Sequence, residues 1–310
     1  MSKIAICLSS DNNYAQHLGV TLVSILENKS ADDTIIVYVL DGGISIDNKN
    51  KILNLKSEYE FEIKFIDIDK KIFEKCPVGK KNHVTLATYY RLLLADICPN
   101  EDKLLYLDVD LIIKTSLKDL FETDITDEYF AGVSDCEETV NAQRLGLKNY
   151  CNAGVILLNL KKWREDNITE LFFAWMQKNE DKILLHDQDI INSTLQDRIL
   201  KLDKCWNVQI SKYDSSKEFV KLLPKAKIIH YVGKHKPWHT DFKQYAKNEY
   251  FKYLKLTDWK NYEAVYRTQI LSKIPVIFLE KILHFIFSIE KQNGKKFLQI
   301  FGLKLMINNR

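Results

Sequence analysis

Three observations predict an α/β fold built on a mostly parallel twisted sheet flanked by helices. β-rich apolar runs alternate with helix-patterned segments through the first third, in βαβαβ order. At 310 residues the chain can hold one enlarged core and a smaller appendage. Short polar clusters follow the apolar runs, which is where an open parallel sheet puts its ligands.

Ile4–Leu8 predicts the first strand. The apolar run at the N-terminus is too short for a signal peptide, so a cytoplasmic protein is expected. A helix near Tyr14–Leu26, a strand at Ile35–Leu40, a helix near Asp47–Ser57 and a strand at Glu62–Ile68 complete the βαβαβ series. Lys103–Leu107 and Lys227–Ile229 read as further strands, Val155–Leu158 as another apolar run, and His186-Asp187-Gln188-Asp189 opens a helical segment through about Leu195.

Composition narrows the function. Hydrophobic residues at 46% and charged residues at 28% are those of an ordinary folded protein. The six cysteines form no C-x-x-C pair and read as reduced, mostly buried thiols. With ten glycines and neither a G-x-G-x-x-G nor a G-x-x-x-x-G-K-[ST] pattern, dehydrogenase and kinase readings fall, and the missing G-x-S-x-G elbow weighs against a hydrolase. Residues 255–310 carry ten Lys/Arg against four Asp/Glu, so the net +3 of the whole chain is a basic tail on a faintly acidic body. That distribution argues against nucleic-acid binding and points the tail at an anionic surface.

Asp108 and Asp110 stand two apart at the end of an apolar strand, so their carboxylates leave the same side and can share one hard cation, which can in turn bridge a diphosphate. His230 ends another apolar strand and suits a third ligand; Asp, Asp and His together suit Mn2+ better than Mg2+. Gly233 and Lys236 follow it as a candidate phosphate clamp, with a solvated surface charge the ordinary alternative for Lys236. Asp11, Asn13 and Tyr14 offer a carboxylate, an amide and an aromatic face suited to a pyrimidine, while helix capping is the commoner use of such residues. Arg91 lies among apolar residues and needs an anionic partner. Asp187-Gln188-Asp189 can set a carboxylate and an amide against a sugar, capping again being the alternative.

Taken together, these clusters resemble retaining glycosyltransferase family 8, in particular its bacterial lipooligosaccharide galactosyltransferases and lipopolysaccharide glucosyltransferases. The resemblance covers about residues 3–240. It rests on Asp11-Asn12-Asn13-Tyr14, Thr88-Tyr89-Tyr90-Arg91-Leu92, Leu105-Tyr106-Leu107-Asp108-Val109-Asp110, Asn152-Ala153-Gly154-Val155 through Asn159-Leu160-Lys161-Lys162-Trp163, Asp187-Gln188-Asp189, and His230-Tyr231 through Lys236-Pro237-Trp238-His239. It implies the nucleotide-diphosphate-sugar fold called GT-A over 1–254 and a UDP-sugar donor. It also implies Mn2+ on Asp108, Asp110 and His230, with Val109 between them. Uridine would lie at Asp11, Asn13 and Tyr14, and the diphosphate at Gly233 and Lys236. Arg91, Asn152, Ala153, Asp187 and Gln188 would surround the donor sugar, with Asp135 near the reaction centre. The acceptor would be a saccharide or lipid-linked glycan.

Residues 255–310 mix bulky apolar residues with lysines and are too charge-interrupted to span a bilayer. They are expected to form a helical region lying on the cytoplasmic face of the inner membrane, with a lid or dimer contact as the alternative. Two other functions stay open at this stage: a self-glycosylating primer like glycogenin, and an idle relative that binds glycan or membrane without turnover.

Overall fold

The computed structural model describes residues 2–74, 76, 86–210, 221–240, 242 and 246–270, and the backbone of 287–292, 295–300 and 303–307. It divides into two compact units, Met1–Lys260 and Asn261–Arg310.

In the first unit β1 (Ser2–Ser10), β2 (Asp33–Asp41) and β3 (Glu62–Asp67) are joined through α1 (Ala15–Asn28) and α2 (Ile46–Leu53). They pair in parallel, as single-helix crossovers require. Ile4 through Leu8 are fully buried, the mark of a parallel strand covered on both faces. After a 3-10 stretch (Leu86–Leu93) and α3 (Leu94–Ile97), β4 (Lys103–Leu107) pairs in parallel with the other side of β1. There follow β5 (Leu111–Ile113), α4 (Lys118–Phe121), β6 (Phe130–Ser134), α5 (Glu138–Leu145) and β7 (Cys151–Asn159). Next come α6 (Leu160–Glu165), α7 (Ile168–Lys178), α8 (Asp187–Leu195) and β8 (Ile199–Lys201).

The central sheet has seven strands in the order β3-β2-β1-β4-β7-β6-β8. β7 runs antiparallel to both β4 and β6, the one reversal in an otherwise parallel sheet. Because β7 runs backwards, its first residues lie at the edge where β4 ends. Asn152-Ala153-Gly154, expected to precede a strand, are therefore inside one and still reach the ligand edge. A second sheet, β5-β10-β9, is built from β5 with β9 (Val208–Gln209) and β10 (Ile228–His230), after which α9 (Lys247–Leu254) follows.

In the second unit the described residues are helical at first and form strands from residue 287 on, where a helix was expected. Residues 262–270 are helical. Beyond them β11 (Phe287–Gln292), β12 (Lys295–Ile300) and β13 (Leu303–Ile307) form an antiparallel sheet. Period-two alternation in Phe287-Ser288-Ile289-Glu290 and Leu303-Lys304-Leu305, with the hairpin dipeptide Asn293-Gly294 between runs, is the signal that favours strands here. The apolar run 271–286, which carried most of the interfacial-helix expectation, lies outside the described residues. Among the described residues no helix is long and apolar enough to cross a membrane.

Of the six cysteines, all free, Cys7, Cys76, Cys98 and Cys151 are buried, Cys205 is half-buried and Cys136 is exposed.

Candidate active site

Strand register assembles the centre of the site. Asp108, Val109 and Asp110 link β4 to β5, and the Asp108 N–H donates to the Gly154 carbonyl at 2.8 Å, extending the β4–β7 pairing by one step. Leu111, the first residue of β5, pairs with His230, the last of β10. The imidazole is thereby carried alongside the two carboxylates. One ligand atom from each of Asp108, Asp110 and His230 lies within 4.8 Å of the others, the one such cluster among the described residues. His230 Nε2 stands 3.3 Å from Asp110 Oδ1 and 3.7 Å from Asp108 Oδ2.

Two observations test whether these residues fit a metal ion. Asp110 Oδ1 is buried and has no hydrogen-bond partner among the described residues, a costly state for a carboxylate oxygen. Gly154 forms a floor that admits no side chain: a Cβ there would lie 2.3 Å from His230 Cε1 and 2.6 Å from Asp108 Oδ2. The donor set and the orphaned oxygen both suit a divalent cation.

The remaining atom of each ligand is already held. Asp108 Oδ1 accepts from Arg91 Nη2 at 2.8 Å, Asp110 Oδ2 pairs with Lys236, and His230 Nδ1 lies 3.0 Å from Asn207 Oδ1. Such outer contacts orient metal ligands. Burial works to raise the Asp110 carboxyl, but the Lys236 ammonium beside it acts the other way, and the carboxyl lies far below the ordinary value. Lys236, expected at a diphosphate, is buried here against Asp110 and also donates to the Tyr231 carbonyl at 2.6 Å. Gly233, in the same loop, has φ +73°, a conformation that strains any residue with a side chain.

Arg91 has the anionic partners its burial demands. Nε meets Asp187 Oδ2 at 2.9 Å, Nη1 donates to the Ala153 carbonyl at 2.6 Å, and the guanidinium lies 4.0 Å over the Tyr106 ring. Desolvation opposes its charge, yet Asp108 and Asp187 more than compensate, so it stays cationic. The second oxygen of Asp187 accepts from the Thr88 hydroxyl, and burial raises this carboxyl despite Arg91.

On one flank is a cleft of about 170 Å³ lined by Ser9, Asp11, Tyr14, Thr88, Val109 and Asp110 among others. Asp11 Oδ1 accepts from the Asn13 and Tyr14 N–H groups at 2.9 and 3.1 Å, closing the turn ahead of α1. The N-cap of α1 is Tyr14 and carries no side-chain cap bond, so Asp11 closes the preceding turn and does not cap the helix. Asn13 is exposed, and Val109 turns its carbonyl to the Thr21 hydroxyl at 3.0 Å. Burial, reinforced by Asp110 and Asp11, pushes the Tyr14 hydroxyl up to about 12.

The other flank holds the amides. Gln188 Oε1 accepts from the Ala153 N–H at 2.9 Å and from Asn152 Nδ2 at 3.2 Å, and Gln188 Nε2 donates to Asp135 Oδ2 at 3.2 Å. Asn152 Nδ2 also reaches Asp135 Oδ2, at 3.2 Å. Capping explains neither acid of α8. Its N-cap is His186, with no side-chain cap bond, while Asp189 is buried on Arg144 and the Leu184 and Leu185 N–H groups. A larger cavity of about 490 Å³ begins at Asp135 and continues along Cys136, Glu137, Glu138, Lys204 and Gln209.

Of the expected site residues, Asp108, Asp110, His230, Lys236, Arg91, Asp187, Ala153, Gln188, Asn152 and Asp135 are thus linked by direct contacts, and Asp11, Tyr14 and Val109 line the adjoining cleft; Asn13 is exposed and Gly233 stands in the loop after β10. Two were missed. Asn207, a single amide between Trp206 and Val208, carries no sequence signal, and the need for glycine at Gly154 becomes visible only once β7 crosses β4.

Comparison with known proteins supplies a family. Residues 5–241 match the model of the family described as Glycosyl transferase family 8. General stress protein A of Bacillus subtilis (strain 168) is 30% identical over 266 residues, 81% of this chain and 92% of the relative. Lipopolysaccharide 1,2-glucosyltransferase of Escherichia coli is 28% identical over 306 residues, 92% of this chain and 89% of the relative. Among solved structures, the galactosyltransferase LgtC in complex with donor and acceptor sugar analogues superposes with a TM-score of 0.72 at 28% identity, covering 82% of this chain and 96% of that one.

Proposed function

Since the chain belongs to glycosyltransferase family 8, we propose that it moves galactose or glucose from a UDP-sugar to a saccharide acceptor of lipooligosaccharide, lipopolysaccharide or a similar surface glycan, with retention and in dependence on Mn2+. The observation that carries this is the Asp108, Asp110 and His230 cluster with its orphaned carboxylate oxygen, set between a cleft lined by Asp11 and Tyr14 and the Asn152, Asp135 and Gln188 amide network. All three ligands being present weighs against an idle relative. The kinds of acceptor named for the lipopolysaccharide glucosyltransferase and galactosyltransferase relatives support the glycan class.

When bound, the cation supplies Lewis-acid stabilisation of the leaving diphosphate. The protein's own groups do the rest. Tyr14, Asp11 and Asn13 hold the uridine. Lys236 adds positive charge where the leaving group gains negative charge, which favours departure because that interaction strengthens in the transition state. Arg91 and Asp187 hold the donor sugar, and Ala153 and Asn152 hold Gln188 facing its anomeric carbon. Gln188 is an amide and a feeble nucleophile, its oxygen already accepting two hydrogen bonds. Asp187, the rival nucleophile, has one oxygen on Thr88 and the other on Arg91. Both facts favour front-face attack through an oxocarbenium-like state, with the departing phosphate as base. The basic 255–310 region would hold the enzyme peripherally at the cytoplasmic face of the membrane, and its charge is the support for that.

The test is UDP release from a panel of UDP-sugars with Mn2+ or with chelator, comparing the native protein with Asp110→Asn. Manganese-dependent turnover of one sugar, lost in the variant, is expected; no turnover of any UDP-sugar sinks the proposal.

A further inference from the structure

The amide network has a polarity that two backbone N–H groups settle. An N–H can only donate. The Gly154 N–H points at one end of the Asn152 amide at 3.0 Å, so that end is the oxygen, Oδ1. Likewise the Ala153 N–H, 2.9 Å from Gln188, fixes Oε1 and leaves Nε2 for Asp135. Asn207 also meets Asn152 Oδ1, at 3.0 Å, and only its NH2 can donate there. Asn207 must then present its own Oδ1 to His230 Nδ1, 3.0 Å away. An oxygen in that position requires a proton on Nδ1, so the lone pair of the neutral ring lies on Nε2, the nitrogen that faces Asp108 and Asp110.

We propose that Asn207 is a positioning residue that locks His230 in the metal-binding tautomer and ties the cation site to the amides around the reaction centre. It acts through His230 and Asn152, to which the two ends of its amide are bonded. Nε2 then faces Asp110 Oδ1 at 3.3 Å and Asp108 Oδ2 at 3.7 Å, an arrangement that a shared cation would satisfy. Asn207 is 2% exposed at the wall of the larger cavity and β9 begins at the next residue, so the amide is held by its hydrogen bonds to Asn152 and His230. In metal sites the partner of the second ring nitrogen sets the tautomer, and its loss typically costs 10–100-fold in metal affinity. The inference rests on the proposed function for the identity of the cation and for what the amides surround.

The test reads the tautomer directly. In the full chain labelled with 15N at its seven histidines, long-range 1H–15N correlation above neutral pH, with His230 assigned by comparison with His230→Gln, is expected to show a protonated Nδ1 and a bare Nε2. A protonated Nε2 overturns the proposal, whatever any variant does. Mn2+ binding is then followed by electron paramagnetic resonance without donor. Asn207→Leu is expected to give mixed tautomers and at least tenfold weaker binding. Asn207→Asp still accepts from Nδ1 and should keep the tautomer and lose less than tenfold, while kcat falls because it no longer donates to Asn152. Wild-type tautomer and Mn2+ affinity in Asn207→Leu would also refute the assignment; should that variant not fold, the native spectrum decides. If no UDP-sugar is turned over, the tautomer and the Mn2+ titration still report, so failure of the activity and failure of this inference are distinguishable.

Discussion

Gly154→Ala tests the architecture of the cation site with a single methyl. A Cβ at this position would sit 2.3 Å from His230 Cε1 and 2.6 Å from Asp108 Oδ2, whereas ordinary contact begins at 3.4 Å. His230 must therefore retreat by about 1 Å, and close packing leaves it nowhere to go. It is 3% exposed, its strand is paired on both sides, and its Nδ1 is tied to Asn207. Overpacking of this kind costs about 1–3 kcal/mol, roughly 2–10 °C in melting temperature for a unit of this size. Function should suffer more, because a ligand misplaced by about 1 Å costs on the order of a hundredfold in turnover. Gly146→Ala is the comparison: φ is +70° but a Cβ there meets nothing within 4 Å, so only backbone strain of about 1 kcal/mol is expected and Mn2+ binding stays unchanged. The assay is Mn2+ titration by electron paramagnetic resonance alongside UDP release and a thermal melt. A folded Gly154→Ala with native Mn2+ affinity and turnover would refute the reasoning.

Arg91→Met removes the cation shared by Asp108 and Asp187 and leaves two carboxylates short of a partner, which should cost about 3–5 kcal/mol in a urea melt. Added Mn2+ should return part of that loss by neutralising Asp108, and no loss at all contradicts the pairing. His17 is buried, stacked on Trp238 at 3.5 Å, and burial pushes its imidazole down to about 3. Below the unfolded value of about 6.5 the unfolded chain takes up a proton that the folded chain refuses, so stability falls from there toward pH 3, by about 2 kcal/mol between pH 7 and 5. His17→Gln should flatten that part of the stability–pH curve, and an unchanged curve contradicts the assignment.

The parallel half of the fold was legible because its strands are apolar throughout and its crossovers single. Ile4–Leu8, Ile35–Leu40 and Lys103–Leu107 lie within or coincide with β1, β2 and β4. Periodicity says nothing of direction, so the reversal of β7, which turns Asn152 and Gly154 toward Asp108, could not be read. The tail was read by composition, and bulky residues with lysines fit an interfacial helix and an alternating strand equally well; the two-residue period and Asn293-Gly294 were the better signal. In the site, Asp108, Asp110, His230 and Arg91 were legible because charge beside apolar strands needs an explanation. Asn207 was not, since a neutral amide needs none until its partners are known.

Charge in the inner ring explains why so many polar groups can be buried together. Asp108, Asp110 and Asp187 supply three carboxylates, Arg91 and Lys236 two permanent cations, and His230 adds none while its ring is neutral. With the carboxylates ionised the hydrogen-bonded ring is one charge negative, which draws a cation in. A divalent ion would reverse the sign and leave the ring one charge positive. With Asp11 in the same cleft and Asp135 on the amides, that added charge offsets carboxylates that would repel a diphosphate, so cation and nucleotide each favour the binding of the other. Lys236 belongs to this balance whether it stays on Asp110 or turns to the phosphate. It holds one Asp110 oxygen and leaves the other exposed to His230 Nε2, so the lysine expected to meet the donor also aims the carboxylate expected to meet the metal.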